Sequence, residues 1–416
     1  VHMNGQTVCL EGDFVVSEAL GKENAFLVQH PSSISAVPEV PVIGSPTTRR
    51  SSRFSFDSAR RTSLIANLRE PAVEDATDIP TGAELVSNPP PRELQPPNAI
   101  VSYIRGDNPF LRRSVLSVNQ FSRYHLHALF AVAQEMRLGV EREGVLDILK
   151  GKVLTTAFFE PSTRTSSSFN AAMQRLGGRV VQISEQGSSV KKGETLQDTI
   201  RTMACYSDAI VLRHPSEESA DIAAKYSPVP IINGGNGSRE HPTQAFLDLF
   251  TIREELGTVN GITVTFMGDL KYGRPVHSLC RLLRHYQVRI QLVAPPELRL
   301  PEHLRQELID AGMSVIESTE LTKEIISKSD VLYCTRVQQE RFADPAEYER
   351  LKDSYIVDNK ILGFAKQHMC VMHPLPRVNE IREEVDFDQR AAYFRQMRYG
   401  LFVRMALLAM VIGIDF

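Results

Sequence analysis

From Val153 onward the chain alternates two patterns. Runs of three to six apolar and β-branched residues are followed by stretches whose apolar positions recur at helical spacing. The strand-like runs are 153–157, 179–183, 209–212, 229–233, 262–267, 288–293, 314–316, 331–334 and 370–372. Between them the spacing predicts helices over 169–176, 196–205, 220–226, 242–256, 276–285, 301–311 and 322–327, then a long apolar helix over 391–412. Ahead of them, 115–140 places Leu116, Phe121, Leu126, Leu129, Phe130, Val132 and Met136 on roughly one helical face, with Ser117 or Asn119 able to cap it. This is the βαβ rhythm of parallel sheets. It predicts an α/β fold: two doubly wound parallel-sheet domains joined by helix 242–256, with the C-terminal helix packing back across both. The expected bounds are 98–244, 245–390 and 391–416, with a cleft between the two sheets.

Residues 1–97 break the pattern. Eleven of the 24 prolines lie there among many Ser and Thr, too little apolar surface to offset ordering entropy, so the segment reads as a disordered linker or tail. Ser52 and Ser63 follow paired arginines, which read plainly as a solvated basic patch; the alternative is that Ser52 or Ser63 is a phosphorylation site of a basophilic kinase.

Composition narrows the function classes. The 416 residues leave room for two or three domains, and the net charge of −3 marks neither a nucleic-acid nor a membrane-surface binder. Cationic chemistry must therefore be local. Cys9, Cys205, Cys280, Cys334 and Cys370 are scattered without a Cys-x-x-Cys pair, which suits a reducing compartment and no structural zinc. No apolar run reaches the ~20 residues that span a bilayer. Val1-His2-Met3 lacks the basic-then-apolar order of a signal peptide, so a cytoplasmic protein is expected.

The candidate chemistry sits at the ends of the predicted strands. Ser162-Thr163-Arg164-Thr165 follows the first of them and opens a helix, where unpaired N–H groups and the positive end of the macrodipole favour an anion. An N-cap needs one hydroxyl, not consecutive donors with a guanidinium. Arg213-His214 ends another strand of that half. In the second half, Gly268 to Arg274 and Thr335-Arg336-Val337-Gln338 hold arginines at strand ends; two guanidiniums suit a dicarboxylate better than they suit isolated surface ion pairs. His241 opens the connecting helix, where a neutral imidazole can polarise a carbonyl. The set suggests group transfer from a phosphorylated donor.

Six segments in family order resemble the aspartate carbamoyltransferases: Ser162-Thr163-Arg164-Thr165-Ser166, Arg213-His214-Pro215, His241-Pro242-Thr243-Gln244, Gly268-Asp269-Leu270-Lys271-Tyr272-Gly273-Arg274, Thr335-Arg336-Val337-Gln338 and His373-Pro374-Leu375-Pro376-Arg377. The resemblance runs from about residue 100 to the end. It implies carbamoyl phosphate and L-aspartate as substrates, and N-carbamoyl-L-aspartate and phosphate as products, in pyrimidine biosynthesis. It also implies that Ser162, Thr163, Arg164 and Thr165 hold the phosphate and that Thr165, Arg213 and His241 polarise the carbonyl. Gln244 with the carbonyls of Pro374 and Leu375 would hold the carbamoyl NH2, and Arg274, Arg336 and Gln338 would take the aspartate carboxylates. No metal, cofactor or covalent intermediate is implied.

The stretch Gly187 to Glu194 reads by itself as a mobile solvated loop; by resemblance it reaches into a neighbouring subunit, making Ser188 and Lys192 ligands of a site shared within a homotrimer. The proline-rich head resembles the linker before this domain in fungal and animal pyrimidine multienzymes, which implies fusion to or association with carbamoyl phosphate synthetase. One residue departs from the family pattern: Pro275 stands where Thr is usual. As the first residue of helix 275–285 it is conformationally acceptable, but it removes a hydroxyl and an N–H from the aspartate pocket and is expected to push Arg274 out of the α region. Weaker aspartate use is expected. Two rival readings are a non-catalytic trimerising scaffold, favoured only by Pro275, and an ornithine carbamoyltransferase, disfavoured by His373-Pro374-Leu375-Pro376 and Arg336.

Overall fold

The structure is a computed structural model that describes residues 108–184, 193–342 and 344–414, Ile104, Gly106 and two short antiparallel strands, β1 (His2–Met3) and β2 (Gln6–Thr7). Ser52, Ser63, Ser188 and Lys192 lie outside the described residues, as does nearly all of 1–97. The chain divides into a unit Val1–Ser87, which holds β1 and β2, and a unit Asn88–Phe416, which holds everything else described.

Within the larger unit two all-parallel sheets form. The first joins β3 (Val153–Phe158), β4 (Arg179–Ser184), β5 (Ala209–His214) and β6 (Ile231–Asn236) in the order β4-β3-β5-β6. The second joins β7 (Thr263–Met267), β8 (Arg289–Val293), β9 (Ser314–Ser318), β10 (Val331–Cys334) and β11 (Cys370–Met372) in the order β11-β10-β7-β8-β9. The helices are α1 (Arg123–Glu143), α2 (Thr163–Arg175), α3 (Leu196–Ala204), α4 (Ser219–Tyr226), α5 (Pro242–Leu256), α6 (Arg274–Leu283), α7 (Glu302–Asp310), α8 (Lys323–Lys328), α9 (Pro345–Leu351), α10 (Asn359–Leu362) and α11 (Tyr393–Ile412).

The strands β7, β10 and β11 are buried at every position, whereas the edge strands β4 and β9 have no buried position. One hydrophobic core runs from α1 and α2 through α5 and α11 into β7 and β8. Phe250 of α5 illustrates the joint, with ring centroids 5.4 Å from Phe130 of α1 and 5.8 Å from Tyr399 of α11. Truncating such a ring costs roughly 3–5 kcal/mol, so the helices fix the two sheets against each other firmly. No helix among the described residues is long and apolar enough to cross a membrane.

The connectivity places the ligand crevices. In the first sheet the chain goes from β3 to β4 on one side and continues with β5 on the other, so the exits of β3 and β5 diverge. In the second sheet the same reversal separates the exits of β7 and β10. Such switch points open a crevice beyond the strand carboxyl ends.

Several expectations are corrected. The helix expected over 115–140 begins only at Arg123. Two capping signals in quick succession divide the run: Ser117 and Gln120 form a reciprocal box around a 3-10 turn, and Ser122 then pairs with His125, while Val115 bridges to Ile232 beside β6. Strand β6 starts at Ile231 and continues into Asn236, later than the pattern suggested, because Pro230 has no N–H to give the ladder. Helix α6 begins at Arg274, so Pro275 is its second residue and Arg274 is not expelled from the helix. Tertiary pairing of the Arg274 side chain outweighs the pre-proline preference. Between 335 and 370, where the sequence reading placed no element, α9 and α10 form.

Candidate active site

One cleft of about 770 Å³ gathers the four switch-point loops. Ser162, Thr163, Arg164 and Thr165 line one wall, with Arg213; Arg274, Arg336 and Gln338 line the other; His241, Gln244, Pro374 and Leu375 lie between them. Twelve of the residues expected from the sequence thus meet in one place, whereas Ser188 and Lys192 lie outside the described residues.

The first wall is the start of α2. Ser162 is its N-cap, yet its side chain makes no capping bond, so the hydroxyl is left to face the cleft. Thr165, buried in the first turn, has its Oγ1 3.4 Å from His241 Nε2. His241 is itself the N-cap of α5, held by its N–H donating to Ser278 Oγ at 3.1 Å. Burial first, then Arg213, Arg274 and Arg404, hold its pKa well below the ordinary imidazole value, so the ring stays neutral. Its Nδ1 is buried without a hydrogen-bond partner, and Nε2 is the ring nitrogen beside Thr165.

The charge of the cleft is strongly one-sided. Six arginines line it, Arg164, Arg213, Arg274, Arg336, Arg341 and Arg404, against one carboxylate, Glu160. In a chain of net charge −3 this concentration is a local cationic site, the only kind that the overall charge balance suggested. Glu160 sits between two of them, 3.1 Å from Arg213 Nε and 3.4 Å from Arg274 Nη2; the first contact is an ion pair not aligned as a hydrogen bond. The end of β6 and the residue after it supply carbonyls to both: Arg213 donates to Gly234 O at 3.4 Å, and Arg274 donates to Gly237 O. Burial and the neighbouring Arg274 still lower the Arg213 pKa to about 10, and burial and Arg336 lower that of Arg164. Crowded, partly desolvated cations of this kind gain from an incoming anion.

The second wall is built where the exits of β7 and β10 touch. Gly268, at φ +111°, approaches Thr335 so closely that a Cβ there would lie 2.1 Å from the Thr335 carbonyl oxygen, so only glycine fits. Thr335 Oγ1 donates to Met267 O at 3.2 Å, and Asp269 accepts from Tyr272 N at 2.9 Å and from Gln338 Nε2 at 3.3 Å. The loop after β11 is set by His373: its Nδ1 accepts the Leu375 N–H at 2.8 Å, so the proton resides on Nε2 and goes to Glu380 Oε1 at 2.7 Å. Leu375, at φ +56°, is held in the left-handed region by this bond.

The sequence reading missed Glu160, Arg341 and Arg404 as cleft residues. Glu160 lies two residues before Ser162, but an acid between two distant arginines is invisible without the fold. Arg404 had a signal: it is a charge within the apolar run of α11, where it is buried, donates to Ser168 Oγ at 3.0 Å and stacks on Phe169.

Two family models match, the carbamoyl-P binding domain of aspartate/ornithine carbamoyltransferase over residues 113–254 and the Asp/Orn binding domain over 260–411. The multifunctional protein URA2 of Saccharomyces cerevisiae is 65% identical over 412 residues, covering 99% of this chain and 18% of that protein. The multifunctional protein CAD of Squalus acanthias is 54% identical over 306 residues, 74% of this chain and 14% of that protein. The chain therefore spans under a fifth of the length of these curated relatives. A crystal structure of aspartate transcarbamoylase from Trypanosoma cruzi, in complex with carbamoyl phosphate and aspartate, superposes with a TM-score of 0.71 at 46% identity, covering 74% of this chain and 100% of that one. With the fold, the cleft and both halves of the sequence in agreement, the chain belongs to the aspartate/ornithine carbamoyltransferase family.

Proposed function

We propose that the chain is an aspartate carbamoyltransferase, transferring the carbamoyl group of carbamoyl phosphate to the amine of L-aspartate. The observation that carries the reading is the pairing of a hydroxyl-and-guanidinium helix N-terminus with a two-arginine wall across one cleft, with a neutral imidazole between them. Ser162, Thr163, Arg164 and Thr165 hold the phosphate. Arg274, Arg336 and Gln338 hold the aspartate carboxylates, the arginines by bidentate pairing. Thr165, Arg213 and His241 face the carbonyl oxygen and stabilise its charge as the amine adds; the N–H of a neutral imidazole donates without giving up a proton. Gln244 and the carbonyls of Pro374 and Leu375 take the carbamoyl NH2. The amine's lone pair forms the new C–N bond, the C–O bond to phosphate breaks, and phosphate leaves with that electron pair, the amine proton passing to phosphate or water. The protein's contribution is orientation and charge stabilisation.

The reading extends to the assembly. Ser188 and Lys192 enter a neighbour's site within a homotrimer, supported by the resemblance of the Gly187 to Glu194 stretch. The parts 98–244, 245–390 and 391–416 act as the carbamoyl phosphate half, the aspartate half and the returning helix. In its parent polypeptide the chain works beside a carbamoyl phosphate synthetase, supported by the multifunctional relatives. The free thiols of Cys205, Cys280, Cys334 and Cys370 support a cytoplasmic setting. Mixing Lys192→Ala with Arg164→Ala chains restores activity if sites are shared; mixed trimers without activity refute sharing. The function is tested by supplying carbamoyl phosphate with aspartate or with ornithine. Carbamoyl aspartate is expected and citrulline is not; citrulline alone would overturn the reading.

A further inference from the structure

Beneath the cleft lies a carboxylate that does not line it. Asp248, one turn beyond Gln244 on α5, is fully buried and accepts three hydrogen bonds: from Gln244 Nε2 at 2.9 Å and Gln396 Nε2 at 2.6 Å on Oδ1, and from Tyr333 OH at 2.7 Å on Oδ2. Tyr333 and Gln396 are fully buried too, and each belongs to a different element, β10 and α11. Gln396 continues the chain of bonds, because its Oε1 accepts the N–H of His373 at 3.0 Å, at the start of the loop that carries Pro374 and Leu375.

The orientation of Gln244 follows from this. Burial raises the Asp248 pKa to about 7 against the three donors that favour the charged form; when ionised, the carboxylate only accepts, so it binds the NH2 end of the Gln244 amide and leaves Oε1 as the end available to the cleft. Without Asp248 either end could face the cleft at similar cost. The same carboxylate, through Gln396, fixes where the 373–376 loop leaves β11. A buried, fully satisfied network of this kind holds one geometry; a half-satisfied one does not.

We infer that Asp248 is a positioning residue that presents an acceptor-only pocket, Gln244 Oε1 on one side and the Pro374 and Leu375 carbonyls on the other, to the donor NH2 of the carbamoyl group. This rests on the aspartate carbamoyltransferase reading and deepens it by assigning selectivity for an amide-bearing acyl phosphate over its methyl analogue, acetyl phosphate. Acetyl phosphate matches the shape but has no NH2 to donate.

The experiment uses the assembled protein and three probes: inorganic phosphate, carbamoyl phosphate and acetyl phosphate, each titrated calorimetrically, alongside steady-state kinetics. In Asp248→Leu, carbamoyl phosphate affinity falls at least tenfold, the preference for carbamoyl over acetyl phosphate shrinks by a similar factor, and phosphate affinity stays within about twofold, since one acceptor for the carbamoyl NH2 is lost while the α2 anion site is untouched. The KM for aspartate moves less than about threefold. Gln396→Leu cuts the limb from Asp248 to His373, leaving Gln244 and Tyr333 on the carboxylate, and serves if Asp248→Leu does not fold; it lowers carbamoyl phosphate affinity about threefold or more, again without moving phosphate. Equal loss of phosphate and carbamoyl phosphate binding would make the network merely structural, and unchanged carbamoyl phosphate affinity in a variant that still binds phosphate would overturn the proposal outright. Failure of the underlying reading looks different: the unaltered protein would then bind phosphate but show no preference for carbamoyl phosphate.

Discussion

Replacing Pro275 by threonine should improve the use of aspartate. Pro275 lines the cleft as the second residue of α6, directly after Arg274 and at the helix N-terminus, where N–H groups lack intrahelical acceptors and the dipole favours a carboxylate. Proline gives that position neither N–H nor hydroxyl. Threonine supplies both, and one additional bond to a charged carboxylate contributes roughly 1.5–3 kcal/mol, so the aspartate KM should fall roughly 10- to 150-fold. The gain has a small cost. Proline suits the first helical turn and restricts the unfolded chain, so Pro275→Thr should lose about 0.4–1 kcal/mol of stability. The assay titrates aspartate at saturating carbamoyl phosphate on both proteins, with inhibition by inorganic phosphate as the control that stays constant. An unchanged aspartate KM and turnover would refute the reasoning and show that the cleft wall does not need those two donors.

Other consequences can be measured separately. Glu160→Gln removes the carboxylate between Arg213 and Arg274 and should lower kcat/KM for aspartate at least tenfold, because both guanidiniums lose the partner that aims them; wild-type values would make that ion pair incidental. Inorganic phosphate at about 100 times its Kd should stabilise the protein by about 2.7 kcal/mol in thermal unfolding, less at high salt and not at all in Arg164→Ala. Burial lowers the pKa of His277 to about 4 and holds His241 well below its ordinary value, so both rings are neutral when folded and take up protons when unfolded. Stability is thus intact above about pH 6.5 and falls as pH drops from there towards 4, steepening the loss of urea midpoint. A midpoint flat between pH 7 and 5 would mean that these imidazoles are not held neutral.

The strand exits were legible because βαβ rhythm, hydroxyl runs and paired arginines are local signals. Val153 to Thr165 shows this: an apolar strand, a polar turn and an N-cap follow one another within thirteen residues, and the structure keeps that order. What was not legible is long-range. Neither sheet's strand order can be read from periodicity, so the switch points that bring Arg164 near Arg336 emerged only from the fold. Gln244 and Asp248 share a helical face by their spacing. Tyr333 and Gln396, which complete the network, lie 85 and 148 residues further along. The misplaced start of α1 has a local cause: two capping signals, Ser117 and Ser122, compete within one apolar run, and hydrophobic spacing alone does not rank them.

The central claim is that one wall of the cleft holds the phosphate donor and the other the dicarboxylate acceptor. It is tested most directly by steady-state formation of carbamoyl aspartate by the protein, by Arg164→Ala and by Arg336→Ala, titrating each substrate in turn. The account predicts turnover in the unaltered protein, a loss of carbamoyl phosphate affinity dominating in Arg164→Ala, and a loss of aspartate affinity dominating in Arg336→Ala. No turnover in the unaltered protein, or the two losses exchanged between the variants, would contradict it.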